Sequence, residues 1–199
     1  MMPAVDLFYP LNEFYAEAGL PLPSVTPVEP EEIPEPCRSI LVHDVDMTPT
    51  IESAFGESVD LKVLKHSLRG NVFSREIALT LRQRGVAVVF GAIKIYLDYF
   101  PDKARSLVLE MKQPLGTILA SERVAHSSHP AGYFRVTADG LINRALNLND
   151  SAILYGRRNV LSQLASTGFA FMALSANPRC ANSGRAEPGG GGLALRSKS

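Results

Sequence analysis

The sequence predicts an α+β fold. Three observations point to it. β-Prone segments recur from residue 59 to residue 174, short helical stretches fall between them, and no regular strand–helix–strand alternation links them. The chain has 199 residues, of which 46% are apolar. That is enough for one domain with a sizeable core.

The elements follow in order. Leu11 to Gly19 reads as a short helix closed by its glycine. Residues 21–36 (PLPSVTPVEPEEIPEP) read as an extended linker, because prolines remove backbone donors and the acids resist collapse. Residues 46–52 start a helix, with Thr48 as cap and Pro49 at the first helical position, and Gly56 ends it. Residues 59–68 form a strand with imperfect alternation. Residues 71–82 alternate better, placing Phe73, Arg75, Ile77, Leu79 and Leu81 on one face. Arg84 and Gly85 turn the chain into the β-prone run 86–97 (VAVVFGAIKIYL). These three strands read as an antiparallel meander. Residues 102–111 are amphipathic and helical, and residues 114–122 begin a second helix or turn. Residues 123–137, 152–163 and 168–174 are further strands.

The formal net charge of zero is a sum of unequal parts. Residues 1–37 hold seven acids, no Lys or Arg, and eight of the 14 prolines. Residues 38–177 hold 16 bases against 12 acids, and the last residues form a basic, glycine-rich tail. The division expected is an acidic arm (1–37), a domain (38–178) and a low-complexity tail (179–199). A zero balance argues against a nucleic-acid partner, and a mildly basic domain agrees with a small anionic one. No stretch has the length and apolarity of a membrane span, and no signal peptide is recognisable. The expectation is a cytoplasmic protein, monomer or homodimer, with no membrane or nucleic-acid partner. Cys37 and Cys180 are too few for a disulfide framework.

Arg75 shares its strand face with Phe73, Ile77 and Leu79. A guanidinium on an apolar face meets an internal ion pair, a route back to solvent, or an anionic ligand, because unpaired buried charge is very costly.

Several segments together resemble the chorismate pyruvate-lyases (4-hydroxybenzoate synthases). Residues 40–52 (ILVHDVDMTPTIE) are similar to that family's leucine-rich approach to an S-M-T-x-x-x-E helix, with Asp46 where serine is usual. Ser74-Arg75-Glu76-Ile77 resembles its R-E-I/V strand, Pro114-Leu115-Gly116 its P-L-G-x-x-L element, and Tyr155-Gly156-Arg157-Arg158 its W/Y-G-R-R strand. The likeness spans roughly residues 38–178. It implies a single antiparallel sheet with helices packed on one side, and helical flaps over a small internal cavity. It also implies an enzyme that splits chorismate into 4-hydroxybenzoate and pyruvate with no metal or organic cofactor. By the same resemblance, Arg75 binds a carboxylate while Met47 and Leu115 line the pocket.

The departure lies in the last strand, where the family carries a catalytic glutamate. Here Met172, Ala173 or Leu174 takes that place, and no acid occurs between Asp150 and Glu187. The catalytic residue is therefore unassigned. Asp44, Asp46, His43 and His126 are substitutes by type only, and Asp46 is equally a helix cap. One of Arg157 and Arg158 can enter a cavity, since neighbours on a strand face opposite ways. Arg157 is the candidate for a second anion contact. His43, His66, His126 and His129 lack the spacing of a zinc site, and no phosphate-cradling glycine loop is present.

Two functions follow. The first is a chorismate lyase-like enzyme acting on a small carboxylated substrate, true to the family or diverged toward natural-product biosynthesis. The second is a non-catalytic module that holds an aromatic acid in the same cavity.

Overall fold

The computed structural model describes residues 6–149, 152–163 and the backbone of 166–175. Seven strands form one antiparallel sheet: β1 (Val25–Val28), β2 (Val59–Arg69), β3 (Val72–Leu81), β4 (Ala87–Tyr96), β5 (Ser127–Thr137), β6 (Ile153–Gln163) and β7 (Ser166–Ser175). Their order is β1-β5-β6-β7-β4-β3-β2. The β2-β3-β4 meander is present with every pairing antiparallel. Gly70, at φ +58°, opens the tight β2–β3 turn in a backbone region that side chains disfavour. The α+β class stands. So does the order of helices after β4, with α4 (Asp102–Glu110) and α5 (Leu115–Ser121) preceding β5.

The apolar run of β4 is explained by burial on both faces. Its even residues Phe90 and Ala92 join Leu11, Phe14, Ile142 and Phe134 in one cluster. Its odd residues Ile93 and Ile95 join Val108, Leu115 and Ile118 in another. Residues alternate across a strand, so the helices split between the two faces. α1 (Leu11–Glu17) and α6 (Gly140–Leu146) cover one. α2 (Cys37–Leu41), α3 (Met47–Phe55), α4 and α5 cover the other. The sequence reading placed helices on one side; the smaller second layer comes from an N-terminal segment and from a helix it did not anticipate. β3 shows the same two-sided burial, with Phe73, Ser74, Arg75, Glu76, Ile77, Ala78 and Leu79 all covered.

The N-terminal acidic segment thus packs against the sheet. α1 buries Leu11, Phe14 and Tyr15. The stretch read as a linker contains β1, which pairs Val25 with Val136 and Val28 with Tyr133. Pro27 is tolerated there because β1 is an edge strand, where a missing donor costs no ladder bond. α3 begins at Met47 with Asp46, not Thr48, at the cap position, and Thr48 is buried inside the helix. α6 has a sequence signal that pattern reading passed over. Asp139 precedes it and its carboxylate accepts from the backbone N–H groups of Leu141 and Ile142, both at 2.9 Å, which is N-capping. The Tyr15 hydroxyl donates to the other oxygen of Asp139 at 2.8 Å. Burial, then the Asp139 carboxylate, push the Tyr15 phenol far above its ordinary range, so it remains a donor. The tail 179–199 lies outside the described residues.

One carboxylate therefore caps α6 and ties α1 to it. Asp139→Ala is expected to cost about 1–2 kcal/mol from the cap alone, and Tyr15→Phe about 1 kcal/mol. Urea unfolding monitored by circular dichroism measures both. A double variant no worse than Asp139→Ala would show that the two losses share one interaction.

Candidate functional site

A cavity lies between the sheet and the helices α3 and α5. Met47 and Thr48 of α3 form part of its wall, as do Pro114, Leu115, Gly116 and Leu119 at and within α5. The sheet supplies Arg75, Ile77 and Leu79 from β3, Ile93 from β4, and Asn159 and Leu161 from β6. Asp46 and Leu61 complete it. Its volume is ≈ 50 Å³ counted for the centres of water-sized spheres. A single water needs about 10–15 Å³ on that measure, so the space suits a small molecule. Met47, Arg75 and Leu115, far apart in sequence, line this one space.

Arg75 is the anomalous member. It is 2% exposed. Its Nη2 donates to the Gln113 carbonyl at a long 3.4 Å, while Nε and Nη1 have no partner. Burial alone pushes it down to about 10, so it stays cationic at neutral pH. None of the ion pairs among the described residues includes it.

Arg157 is equally buried, at 0% exposure, but its terminal nitrogens are occupied. Nη1 donates to the carbonyls of Leu41 at 3.1 Å and His43 at 2.6 Å, and Nη2 donates to Val45 at 3.0 Å. It clamps the segment that leads from α2 into α3 and is not among the residues lining the cavity. The sequence reading paired it with Arg75 as an anion contact; the structure gives its donors to backbone carbonyls instead. Arg158 points the opposite way, donating to the Asp6 carbonyl at 3.2 Å and lying 5.4 Å from the Tyr9 ring centre.

The polar substitutes also have assigned partners. His43 receives the backbone N–H of Val45 and an N–H of Arg157 on Nδ1, at 3.3 and 3.2 Å, and its Nε2 faces the Ile40 carbonyl at 2.8 Å. That arrangement fits the neutral ring with its proton on Nε2. Burial and then Arg157 hold His43 below its ordinary range. His126 faces the Val124 carbonyl through Nδ1 at 2.8 Å and the Asp46 carboxylate through Nε2 at 2.9 and 3.1 Å. This contact joins the start of α3 to the segment after α5, tying together the two covers of the cavity. Asp44 is exposed. Among the described residues, no group of His, Cys, Asp and Glu could hold a metal ion. No described helix is long and apolar enough to cross a membrane.

Gly116 explains the P-L-G element physically. A Cβ there would sit 2.9 Å from Thr48 Oγ1 and 3.1 Å from Thr48 Cβ, so α5 reaches α3 only because the side chain is missing. Asn159 was missed by sequence reading, although it sits two positions beyond Arg157 and therefore on the same face. Met172, Ala173 and Leu174 lie on β7, opposite Arg158, Arg157 and Gly156; their side chains lie outside the described residues.

No family model matches the chain, and no curated protein matches it. Solved structures do. PhnF from Mycobacterium smegmatis aligns at 15% identity and a TM-score of 0.54, over 69% of this chain and 66% of that one. The effector domain of the same protein aligns at 16% identity and a TM-score of 0.51, over 67% of this chain and 90% of that one. The chain spans about two thirds of the longer of these structures. The likeness shows the fold, which is the chorismate lyase-like one, without membership of the lyase family. It also corrects the enzyme expectation. The two aligned structures are a protein and its effector domain, and neither is a lyase.

Two predictions follow from this geometry. Gly116→Val should destabilise the protein by about 2 kcal/mol in urea unfolding, because the added methyls overlap Thr48. His43→Gln should flatten the pH dependence of the melting temperature. The folded state holds His43 below its unfolded value of 6.5, so its contribution is complete above that value and is lost as pH falls below it. Between pH 7.5 and 5.5 the wild type should therefore lose more stability than the variant. Buried Glu76 is shifted upward and acts in the opposite direction, but it is common to both proteins and cancels in the comparison.

Proposed function

We propose that this chain is a non-catalytic binding module for a small aromatic acid. The observation that carries the reading is Arg75, whose guanidinium lies in the cavity wall at 2% exposure with Nε and Nη1 unpartnered. Such a charge is tolerable when a ligand anion completes it, because charge-assisted hydrogen bonds are strong and the desolvation has already occurred. Met47, Ile93, Leu115 and Leu161 surround it with apolar surface, which suits a ring or short hydrocarbon body. The resemblance of the fold to the effector domain of PhnF supports a ligand-sensing or ligand-carrying role over chemistry on the ligand.

The test uses stability and binding together. Benzoate should stabilise the wild type in proportion to the logarithm of its concentration, by about 2.7 kcal/mol at one hundred times the dissociation constant, read as a rise in melting temperature. Arg75→Met should abolish that response. It should also make the ligand-free protein more stable, by about 1–3 kcal/mol, because it removes an unpaired buried charge and keeps the volume. A ligand-free variant less stable than wild type would show that Arg75 is a structural residue, and the proposal would fail.

A further inference from the structure

The cavity has a second unsatisfied polar group, and it differs in kind from the first. Asn159 is 3% exposed, lines the same space as Arg75, and its Oδ1 has no partner. The amide orientation is fixed by its neighbours. Asn159 Nδ2 donates to Ser128 Oγ at 2.7 Å, and the Ser128 hydroxyl donates to the Val45 carbonyl at 3.4 Å. A carbonyl only accepts and a hydroxyl has one proton, so the serine takes an N–H from the asparagine and leaves the amide oxygen for the cavity.

The two groups occupy one row across the sheet. Arg75 pairs with Ile93, Ile93 with Phe171, and Phe171 with Asn159. Directly paired residues share a face, which agrees with Arg75, Ile93 and Asn159 all lining the cavity. Three strand spacings of about 4.8 Å put the backbones of Arg75 and Asn159 about 14 Å apart. Ile93 and Leu161 belong to the same cavity wall. The row therefore presents a cation from one side, apolar surface, and a neutral acceptor from the other.

We infer that Asn159 is the specificity-determining residue of the site. It selects acids that carry a hydrogen-bond donor, a hydroxyl or an amine N–H, away from the carboxylate. The inference rests on the proposed binding of an aryl acid at Arg75 and adds the chemistry of the ligand's other pole. A buried acceptor left unmatched penalises every ligand that lacks the donor, so discrimination is built into the free protein. Ser128 is a positioning residue, because it sets which end of the amide faces inward.

Calorimetry on the full chain tests this with two sets of probes. One set is the 3- and 4-isomers of hydroxybenzoate and aminobenzoate, which carry donors. The other is benzoate and the 3- and 4-fluorobenzoates, which do not. At least one donor probe should bind wild type about 10-fold or more tightly than the probes without donors. Asn159→Leu should bind benzoate at least as well as wild type and lose the preference. Ser128→Ala should narrow the preference by releasing the amide, and it serves as the readout if Asn159→Leu does not fold. Equal affinities for both sets in wild type overturn the inference while leaving Arg75 as the anchor. So does a preference that survives in the variants. Failure of every acid to bind wild type overturns the site itself, and the role of Asn159 with it.

Discussion

The structure turns on an uncompensated charge. Native proteins are stable by only about 5–15 kcal/mol, and an ion held away from water without a partner costs several of those. Arg75 nevertheless lies buried on β3, one strand in from the edge of the sheet, bonded to one distant carbonyl. Arg157, on β6 with β7 and β4 between it and β3, shows a buried guanidinium whose two terminal nitrogens are both occupied, with only Nε unpartnered. Both arginines are almost wholly buried, and burial pushes both down to about 10. One is bound by three backbone carbonyls and holds a chain segment in place. The other lacks those partners and faces a cavity. The contrast separates a structural arginine from one left available.

Keeping that cation dry requires a cover, and the cover is built from small fittings. Arg157 and His43 fix the segment before α3. His126 and Asp46 join the start of α3 to the segment between α5 and β5. The missing side chain of Gly116 lets α5 settle on Thr48. On the far face, α1 and α6 bury the even residues of β4, so the strand next to Arg75's own is packed from both sides. Each interaction is modest, yet together they enclose the site.

Much of this was legible in the sequence, for identifiable reasons. The meander was readable because its turns carry glycine and its strands carry β-branched and apolar residues. The inward direction of Arg75 was readable from a period of two. Met47 and Leu115 needed the family resemblance, since nothing in local pattern links residues so far apart to one space. The edge strand β1 was hidden by Pro27, which argues against a central strand but not against an edge. α6 was hidden because seven residues are too few for clear periodicity, although the cap at Asp139 was visible. Asn159 was hidden by the two arginines before it, which draw attention as charges. Its importance lies in one unpaired oxygen, and no sequence pattern records which hydrogen bonds go unmade.

The same inventory defines what the cavity wall offers a ligand. Proton transfer needs a titratable group free to exchange its proton with the ligand. Among the described residues lining the cavity, the acid is Asp46, and its carboxylate is engaged by His126. Asn159 reaches the ligand space but does not titrate, and Arg75 stays cationic throughout the physiological range. Such a set can orient an anion and distinguish it from its analogues. For a site that takes up an anion, occupancy is read as the difference in stability between the empty and occupied states. The empty state leaves Nε and Nη1 of Arg75 and the amide oxygen of Asn159 without partners, so the features that make the free protein less stable are the ones that would make occupancy count.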